Sequence, residues 1–400
     1  MSLNETASAE RVHIAFFGMR NAGKSSLVNA VTNQEISVVS DVKGTTTDPV
    51  RKSMELLPIG PVVIIDTPGL DDEGELGEKR VKRAKEVLNK TDVAVLVADA
   101  QKGLSDSDRE LIKHLGDTKV PYIIAYMKSD LPHDEGTLKD NEIYVSKFDK
   151  VSVDKLKEMI ARLGKGTQNS GHIVSDMLVE GDIAVLVIPV DAAAPKGRII
   201  LPQQQTLREI LDSHCTAICC QPQELKGTLK SLAKKTRIVI TDSQAFEAVA
   251  LDVPDDIPLT SFSILFARYK GDLTELVKGA ARLSDLHDGD KVLISEGCTH
   301  HRQCGDIGTE KLPKWIEKFT GVKPSYSFTS GGGFEENLAD YKLIIHCGGC
   351  MLNEKEMKHR INKAKNAGVP IVNYGVAIAH IHGILKRSLE IFPDIANLLP

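Results

Sequence analysis

Short apolar runs alternate with amphipathic stretches along most of the chain, and this alternation predicts a parallel α/β architecture. Between residues 11 and 165 the apolar runs are rich in β-branched residues, and each stops at Gly, Asp or Lys: RVHIAFFG, VVIIDTPG, VAVLVADA and YIIAYMK. The amphipathic stretches that separate them predict surface helices. This order is typical of strands that lie parallel in one sheet and are joined by crossover helices.

Two further units follow a Gly- and polar-rich stretch, LGKGTQNSGH (163–172), which predicts a linker. In the middle unit DIAVLVIPVD and TRIVITDS predict strands, and PQQQTLREILDSHCTAICC and PQELKGTLKSLAKK predict helices. In the last unit KVLISEG, YKLIIHCG and VPIVNYG predict strands that are each followed by a Gly-bearing turn, and NEKEMKHRINKAKNAG predicts a crossover helix. We therefore predict an α/β protein of three domains, over residues 1–165, 173–258 and 259–400.

Length and composition agree with a globular protein of more than one core. The 400 residues are 42% apolar and 26% charged, with a formal net charge of -5. Because no long basic run is present, we do not expect binding to nucleic acid. No apolar stretch reaches the length of a membrane span, and MSLNETASAE lacks a signal-peptide core, so we expect no membrane association and a cytoplasmic location. Seven cysteines in a reducing compartment are metal-binding or catalytic candidates before they are disulfides.

Residues 18–25, GMRNAGKS, match the phosphate-binding loop G-x-x-x-x-G-K-[ST] between a predicted strand and a predicted helix. The two glycines allow backbone N–H groups to surround phosphate oxygens at a helix N-terminus. Lys24 is predicted to reach the β- and γ-phosphates and Ser25 to bind Mg²⁺. A chance glycine-rich turn would not account for the strand and helix on either side. The predicted nucleotide contacts here are Gly18, Asn21, Ala22, Gly23, Lys24, Ser25 and Ser26.

Two further stretches strengthen the prediction of a nucleotide site. In DTPG (66–69) we assign Asp66 to the magnesium side and the Gly69 amide to the γ-phosphate. In the upstream GTTTD (44–48), Thr46 is the predicted Mg²⁺ ligand and Thr45 a nucleotide contact. Residues 11–165 thereby resemble the translation-factor-class GTPases, typified by members that modify tRNA or assemble ribosomes.

The residue after DTPG is Leu70, where small signalling GTPases place a glutamine that orients the attacking water. In the GTPases that this chain resembles, that role can involve a K⁺ ion held partly by a P-loop asparagine, and Asn21 occupies this position. The resemblance therefore implies slow, K⁺-stimulated hydrolysis of GTP to GDP and phosphate. Asn21 could instead be an exposed loop residue without a role in catalysis. The predicted catalytic residues are Lys24, Asn21, Thr46, Asp66 and Gly69.

The base-reading segment MKSD (127–130) departs from the N-K-x-D sequence of guanine readers. Asp130 can accept hydrogen bonds from guanine N1 and N2, and Lys128 can pack over the base. Met127 lacks the asparagine amide that braces such a site, so we expect guanine specificity with weaker nucleotide affinity. Ser146, within VSK (145–147), is the predicted contact from the following loop.

Cysteine and histidine residues follow two predicted strands of the last unit. KVLISEGCTHH places Cys298 and His300 after one strand, and YKLIIHCGGC places His346, Cys347 and Cys350 after another. The carboxyl ends of parallel strands border the crevice in which α/β sheets bind ligands. From the residues alone, an iron–sulfur site with three thiolates and a Cys₃His zinc site both remain open. The same cysteines could also be buried core residues or form a redox dithiol.

The remaining cysteines carry less information about chemistry. Cys215, Cys219 and Cys220, with His214, lie at helical spacing in SHCTAICCQ and are predicted to be core residues of a helix. Cys304 has no partner that the sequence identifies. The middle unit offers no polar constellation that indicates chemistry, so we predict a packing or association module there.

Over its full length the chain resembles the maturation GTPases of iron-iron hydrogenases, through Cys298-x-His300 followed at a distance by His346-Cys347-x-x-Cys350. The resemblance implies a scaffold, or metallocluster chaperone, that binds a 4Fe-4S cluster through the three cysteines. It would receive a transient di-iron precursor assembled with two radical-SAM maturases and deliver it to the iron-iron hydrogenase apoprotein. The middle domain would form a homodimer.

Three thiolates leave one iron of such a cluster without a cysteine ligand. His300, His301 and His346 are the candidates for that weaker fourth ligand, or else they support the loops through hydrogen bonds. The competing prediction for the whole chain is a zinc-binding GTPase that acts in ribosome assembly or tRNA modification. A basic RNA-binding face would favour that competing function.

Overall fold

The computed structural model divides the chain into two compact units, Met1–Asn169 and Ser170–Pro400. It describes residues 10–33, 50–67, 84, 86–134, 136–166, 171–190, 199–297, 306–331, 334–335, 337–349 and 352–399. Among these residues no helix is both long and apolar enough to cross a membrane.

The first unit contains the predicted parallel sheet. Its described strands are β1 (Val12–Gly18), β2 (Val50–Leu56), β3 (Gly60–Asp66), β4 (Val93–Asp99), β5 (Tyr122–Met127) and β6 (Glu142–Val145), and its described helices are α1 (Lys24–Thr32), α2 (Asp106–Asp117) and α3 (Lys150–Lys165). The strand order is β2-β3-β1-β4-β5-β6. All neighbours are parallel except β2 and β3, which pair antiparallel. The antiparallel edge strand β2 was not predicted, and α3 runs three residues into the stretch predicted as a linker.

The second unit begins with another parallel sheet. Its elements are β7 (Ile183–Val187), α4 (Leu201–Asp212), β8 (Thr216–Cys220), α5 (Leu225–Ser231), β9 (Ile238–Thr241), α6 (Phe246–Asp252), β10 (Leu259–Ser261) and α7 (Phe262–Lys270). The strand order among these residues is β10-β9-β7-β8. β10 begins just after residue 258, and its pairing with β9 places it in this middle sheet.

The predicted helix PQQQTLREILDSHCTAICC is wrong in its second half. Helix α4 ends at Asp212, the backbone of His214 turns with a φ of 55°, and β8 then pairs with β7. Cys215 is buried as predicted, whereas Cys219 is exposed and Cys220 is half-buried on the strand. Because TAICC is too short for its apolar spacing to distinguish a helix from a strand, pairing with β7 decides.

A third parallel sheet occupies the rest of the second unit. Its elements are α8 (Leu273–Ala281), β11 (Lys291–Ser295), α9 (Leu312–Thr320), β12 (Ser325–Thr329), β13 (Leu343–His346), α10 (Glu354–Asn366), β14 (Ile371–Asn373), α11 (Tyr374–Ile381), α12 (Leu385–Ser388) and α13 (Pro393–Ala396). The three predicted strands and the predicted helix α10 are confirmed. Strand β12 and helices α8 and α9 were not predicted.

The order of the third sheet is β12-β11-β13-β14. The connection that leaves β11 therefore runs towards one edge of the sheet, and the connection that leaves β13 runs towards the other edge. The chain leaves β11 for the edge strand β12 and then returns past β11 to form β13. In open α/β sheets the carboxyl ends of the strands at such a reversal point are where ligands bind. Both cysteine-bearing stretches of the sequence follow these two strands.

Helix α8 packs closely on β14 because Gly279 has no side chain. An added Cβ at Gly279 would lie 2.0 Å from the Ile371 carbonyl oxygen and 2.5 Å from its carbon. These are backbone atoms of β14, so they cannot move aside without shifting the strand. The glycine thus allows the apolar face of α8 to reach the core of the third sheet.

We predict that Gly279→Ala destabilises the second unit by about 1–3 kcal/mol, the usual cost of overpacking. Thermal and urea unfolding would measure this change. Gly227→Ala in α5 is a matched control, because an added Cβ there meets nothing within 4 Å. The control should keep or raise stability, by up to about 1 kcal/mol. Equal effects of the two substitutions would contradict the close packing at Gly279.

Candidate functional site

The predicted phosphate loop joins β1 to α1, and its backbone is shaped by glycine and asparagine. An added Cβ at Gly18 would lie 2.4 Å from the Val97 carbonyl oxygen, so the loop leaves the sheet against β4. Asn21 and Gly23 have positive φ values of 62° and 99°. Helix α1 begins at Lys24, which directs its first backbone N–H groups towards the loop. This is the geometry of a phosphate cradle.

Pairing of β1 with β3 brings the two predicted charge-bearing residues together. Phe16 is in register with Asp66, and the Lys24 ammonium forms an ion pair with the Asp66 carboxylate. Thr67 donates its hydroxyl to the Phe16 carbonyl at 2.7 Å and so holds the start of the DTPG stretch against β1. Lysine and carboxylate are therefore adjacent at the position where phosphate and Mg²⁺ are predicted.

Side chains of the base-reading segment are held by ionic and hydroxyl hydrogen bonds. Lys128, with a φ of 64°, donates to Asp99 at 2.6 Å. Burial favours a higher pKa for the Asp99 carboxyl, but the hydrogen bonds from Lys128 and the Gln101 backbone outweigh it and lower the pKa. Asp130 accepts a hydrogen bond from the Ser146 hydroxyl at 2.7 Å. Asp99 was not predicted from the sequence, although a carboxylate at the end of the buried strand VAVLVAD is a recognisable signal.

Met127 is buried and contacts the phosphate loop. Its Cβ lies 3.2 Å from the point that a Cβ on Gly23 would occupy, and its Cγ and Cε lie 3.4 Å and 3.5 Å from that point. The thioether side chain therefore fills the space between the base-reading segment and the loop. Met127 thus makes an apolar contact with the phosphate loop, where an asparagine would form hydrogen bonds. The weaker nucleotide affinity stays a prediction.

Some of the other residues predicted to contact the nucleotide lie in the described part of the chain, and some lie outside it. Ala22 is buried in the loop, while Ser25 and Ser26 are half-buried in the first turn of α1. Thr45, Thr46, Gly69 and Leu70 lie outside the described residues.

In the third sheet, Cys347 directly follows β13 and its sulfur is surrounded by backbone donors. The Cys347 N–H donates to the Ser295 carbonyl at 2.9 Å, which extends the pairing of β13 with β11. Sγ accepts hydrogen bonds from the N–H groups of Gly297 at 3.1 Å and Gly349 at 3.4 Å. Backbone N–H groups that converge on a sulfur favour its thiolate form and are common around iron–sulfur sites. This environment fits a metal-ligating thiolate.

His346 is fully buried and both of its ring nitrogens are in hydrogen bonds. Arg360 lies 2.9 Å from Nε2, and because arginine only donates, Nε2 must accept. Nδ1 therefore carries the proton that is donated to the Cys347 carbonyl at 2.7 Å. Arg360 is itself fully buried and paired with Glu356 at 2.8 Å. Ligation of a metal by His346 would thus require its separation from Arg360.

Two polar residues beside Cys347 were not predicted from the sequence. Glu296 is buried directly after β11, and the Tyr374 hydroxyl lies 3.3 Å from its carboxylate. Burial raises the pKa of Tyr374 well above its usual value, and the nearby charge of Glu296 raises it further. The phenol therefore stays protonated and can donate. The segment ISEGC already shows the glutamate close to a cysteine in the sequence. Tyr374, in contrast, comes close to Glu296 only through the folding of the third sheet.

The other predicted metal ligands, Cys298, His300 and Cys350, lie outside the described residues, as do His301 and Cys304. Within the part of the chain that the structure describes, no three His, Cys, Asp or Glu side chains surround a common metal position. Of the predicted set, the structure describes Cys347 and His346, which are adjacent in sequence.

Family models cover most of the chain. Residues 13–128 match the model "50S ribosome-binding GTPase". Residues 173–271 match "Hydrogen maturase F dimerization domain", and residues 274–391 match "Hydrogen maturase F tetramerization domain". The latter two together span more than half of the 400 residues.

Individual relatives match less than half of the chain. The tRNA modification GTPase MnmE of Desulforamulus reducens is 33% identical over 177 residues, which is 42% of this chain and 38% of that protein. Its counterpart in Moorella thermoacetica is 34% identical over 176 residues, which is 43% of this chain and 36% of that protein. The chain thus spans less than two fifths of the length of these relatives.

Solved structures resemble the chain more weakly. A probable GTP-binding protein engB is 23% identical, with a TM-score of 0.32, over 39% of this chain and 100% of its own. Era in complex with MgGDPNP and part of 16S ribosomal RNA is 20% identical, with a TM-score of 0.34, over 61% of this chain and 98% of its own. At such low scores these likenesses say nothing about the function of the chain.

We predict that the protein binds GTP more tightly than ITP, because the inosine base lacks the 2-amino group that Asp130 would accept from. A hydrogen bond to a carboxylate contributes about 1.5–3 kcal/mol, or roughly ten- to a hundredfold in affinity. Asp130→Ala should bind both nucleotides weakly and alike. Ser146→Ala, which keeps the carboxylate, should retain a preference for GTP. Calorimetric titration of both nucleotides would measure this, and a wild-type protein without preference would contradict the role of Asp130.

Proposed function

The chain belongs to the hydrogen maturase F family of hydrogenase-maturation GTPases, and on that basis we propose that it is a GTP-hydrolysing scaffold for an iron cluster. In this proposal it binds a 4Fe-4S cluster through Cys298, Cys347 and Cys350 and carries a transient di-iron precursor to the iron-iron hydrogenase apoprotein. The observation that carries the proposal is the pair of backbone N–H groups on Cys347 Sγ, at the carboxyl end of β13 in a domain that matches a hydrogen maturase F model.

The GTPase part of the proposal rests on the residues around the phosphate loop. Lys24 would neutralise charge that develops on the β- and γ-phosphates, and Ser25 and Asp66 would hold Mg²⁺. Lys24 and Asp66 are ion-paired with each other in the structure. Entry of Mg·GTP would exchange this pair for lysine–phosphate and carboxylate–magnesium contacts. Thr46 and Gly69 keep their predicted roles towards Mg²⁺ and the γ-phosphate.

The cluster part of the proposal rests on the loops at the carboxyl ends of β11 and β13. The backbone donors on Cys347 would stabilise its thiolate. The carboxyl ends of the two neighbouring strands would bring the cysteines of both loops to the same edge of the sheet. When bound, the cluster would supply an iron that lacks a cysteine ligand, to which a second iron unit could attach. His300 and His301 are then the better candidates for the exchangeable fourth ligand, since His346 is engaged by Arg360.

Assembly and partners follow from the family. The two hydrogen maturase models are named for dimerization and tetramerization, which supports formation of an oligomer by this chain. The predicted dimer is part of our proposal, and so are the hydrogenase apoprotein and two radical-SAM maturases as partners. The described cysteines are free thiols, in keeping with a reducing cytoplasm as the site of action.

A second candidate is a zinc-binding GTPase of ribosome assembly or tRNA modification. The match of residues 13–128 to a ribosome-binding GTPase model and the identity with tRNA modification GTPases favour it. The first match lies within the first unit and the second covers 42% of the chain, whereas residues 173–271 and 274–391 match models of the hydrogen maturase family. The second candidate therefore leaves the cysteine domain unexplained.

Anaerobic reconstitution with iron and sulfide, followed by metal analysis and electron paramagnetic resonance, tests the proposal. We expect about four irons per chain, a brown colour and a paramagnetic signal on reduction. Colourless protein that retains one zinc per chain and takes up no iron would support the second candidate.

We predict that GTP hydrolysis is slow and is faster in K⁺ than in Na⁺ at equal ionic strength. The reason is the P-loop asparagine, whose side chain would help to hold the cation. Asn21→Ala should hydrolyse GTP at the same rate in both salts, and Lys24→Ala should be inactive in either. Phosphate release measured in the two salts provides the test. Equal wild-type rates would remove Asn21 from its assigned role.

We predict that Cys347→Ser abolishes cluster binding but leaves GTP hydrolysis near the wild-type rate, because the thiol and the phosphate loop belong to different domains. Iron content after reconstitution and phosphate release would be measured on the same samples. Cys219→Ser is the matched control, since Cys219 is an exposed thiol of β8. The control should keep both properties. Loss of hydrolysis in a folded Cys347→Ser protein would show that the two sites are coupled directly.

A further inference from the structure

Asp99, the last residue of β4, is a buried carboxylate beside the base-reading segment. Only 6% of its surface is exposed. Its Oδ1 accepts a hydrogen bond from the Gln101 N–H at 2.9 Å, and its Oδ2 accepts one from the Lys128 ammonium at 2.6 Å. Burial acts to raise the pKa of Asp99, but the hydrogen bonds from Lys128 and Gln101 outweigh it and lower the pKa. The carboxyl is therefore ionised, and each of its oxygens has a donor.

The backbone of Lys128 has a conformation that needs support from its surroundings. Its φ of 64° lies in the left-handed region, which residues other than glycine adopt at an energetic cost. The preceding carbonyl, of Met127, accepts a hydrogen bond from the Ala100 N–H at 2.9 Å. The Lys128 carbonyl accepts one from the Leu131 N–H at 3.0 Å. These bonds fix the backbone on both sides of Lys128, and the ion pair with Asp99 fixes its side chain.

Met127 occupies the position at which guanine readers carry an asparagine, and its thioether cannot replace the hydrogen bonds of the amide. The side chain is buried and packs towards Gly23 of the phosphate loop. Asp99 lies directly opposite Met127 in the parallel pairing of β4 with β5. A carboxylate on the neighbouring strand thus provides a polar contact to Lys128 that the base-reading segment itself lacks.

We propose that Asp99 is the positioning residue for Lys128 in the nucleotide site and supplies the polar support that Met127 lacks. The inference rests on the proposed GTP-binding function of this site. Asp99 would hold the Lys128 ammonium at the end of β4, so that the aliphatic stem is ready to pack over the purine ring. The ring face is common to guanine and hypoxanthine. Asp99 therefore acts on affinity for both bases, whereas Asp130 acts on the preference for the 2-amino group.

Asp99→Asn tests this role with little change of shape. The amide has one oxygen where the carboxylate has two, so its nitrogen would face one of the two donors, Gln101 or Lys128. Lys128→Met keeps an apolar stem for the base and removes the ammonium. Asp154→Asn is the matched control, because Asp154 is a half-exposed carboxylate of α3 that is paired with Lys157 at 3.4 Å.

The full-length proteins would be titrated calorimetrically with GTP and with ITP. We expect Asp99→Asn and Lys128→Met each to bind both nucleotides roughly tenfold more weakly, the lower end for loss of a hydrogen bond between charged groups. The preference for GTP over ITP should keep its wild-type value. The double variant should be no weaker than either single variant, because the carboxylate acts through the ammonium. Asp154→Asn should bind like wild type.

Thermal unfolding of the nucleotide-free proteins separates this role from support of the fold. If Asp99 only supported β4, Asp99→Asn would be less stable while its folded fraction bound GTP like wild type, and the inference would be overturned. It would likewise be overturned by a double variant that binds roughly a hundredfold more weakly than wild type, since the two side chains would then act independently.

Lys128→Arg decides the question if Asp99→Asn does not fold. It retains a cation for Asp99 and should bind GTP more tightly than Lys128→Met does. Equal weakness of these two variants would overturn the inference. A wild-type protein without affinity for GTP would refute the proposed nucleotide site itself, whereas normal wild-type binding with an unaffected Asp99→Asn variant would refute the role of Asp99 alone.

Discussion

Parallel pairing of strands is the constraint on which both candidate sites depend, because it brings the residues after neighbouring strands to one edge of a sheet. In the first sheet the pairing of β1 with β3 sets Lys24 beside Asp66. In the third sheet the pairing of β11 with β13 places Ser295 opposite His346, and one further hydrogen bond fixes Cys347. Residues about 50 positions apart in sequence meet in this way through backbone pairing alone.

The final placement of the functional groups is made by backbone atoms. Cys347 Sγ is held by two glycine N–H groups, and the phosphate loop bends through Asn21 and Gly23 at positive φ. At Gly297 and Gly349 the lack of a side chain permits this close approach. At Gly349 an added Cβ would lie 2.5 Å from the Met357 sulfur, so the backbone at Gly349 rests directly on a side chain of α10. Glycine at position 349 is therefore required both for the positive φ of the backbone and for the packing against α10.

The middle sheet has the same architecture as the third sheet but carries no candidate chemical site. Its order, β10-β9-β7-β8, has a reversal point between β7 and β9 like that of the third sheet. Yet the neighbouring end of β10 is covered by helices of the third domain. The Thr260 hydroxyl donates to the Ser388 carbonyl at 2.9 Å, and an added Cβ at Gly375 would lie 2.2 Å from Ser263 Cβ. This edge is used for packing between domains, which agrees with the lack of a chemical motif in the sequence of the middle unit.

The fold class followed from the sequence because the apolar runs are β-branched and regularly interrupted, and each of the nine runs predicted as a strand contains a strand of the structure. The phosphate loop and the two cysteine stretches could be recognised for the same reason, since their residue types and spacing are set by local chemistry. Where a segment was short, the pattern failed. TAICC was assigned to a helix and is a strand, because its pairing with β7 is a tertiary contact that local spacing does not record.

The sequence by itself determined the order of the three α/β parts, the nucleotide loop and the cysteines that were candidates for a metal. Tertiary structure alone decided which other groups surround those residues. Arg360 donates a hydrogen bond to Nε2 of His346, Met127 packs on the phosphate loop, and the Lys270 ammonium contacts the Leu352 carbonyl. The physical reason is that these contacts join residues on different helices, strands and loops. Their partners are chosen by how helices and strands pack, and no spacing within either segment encodes that choice.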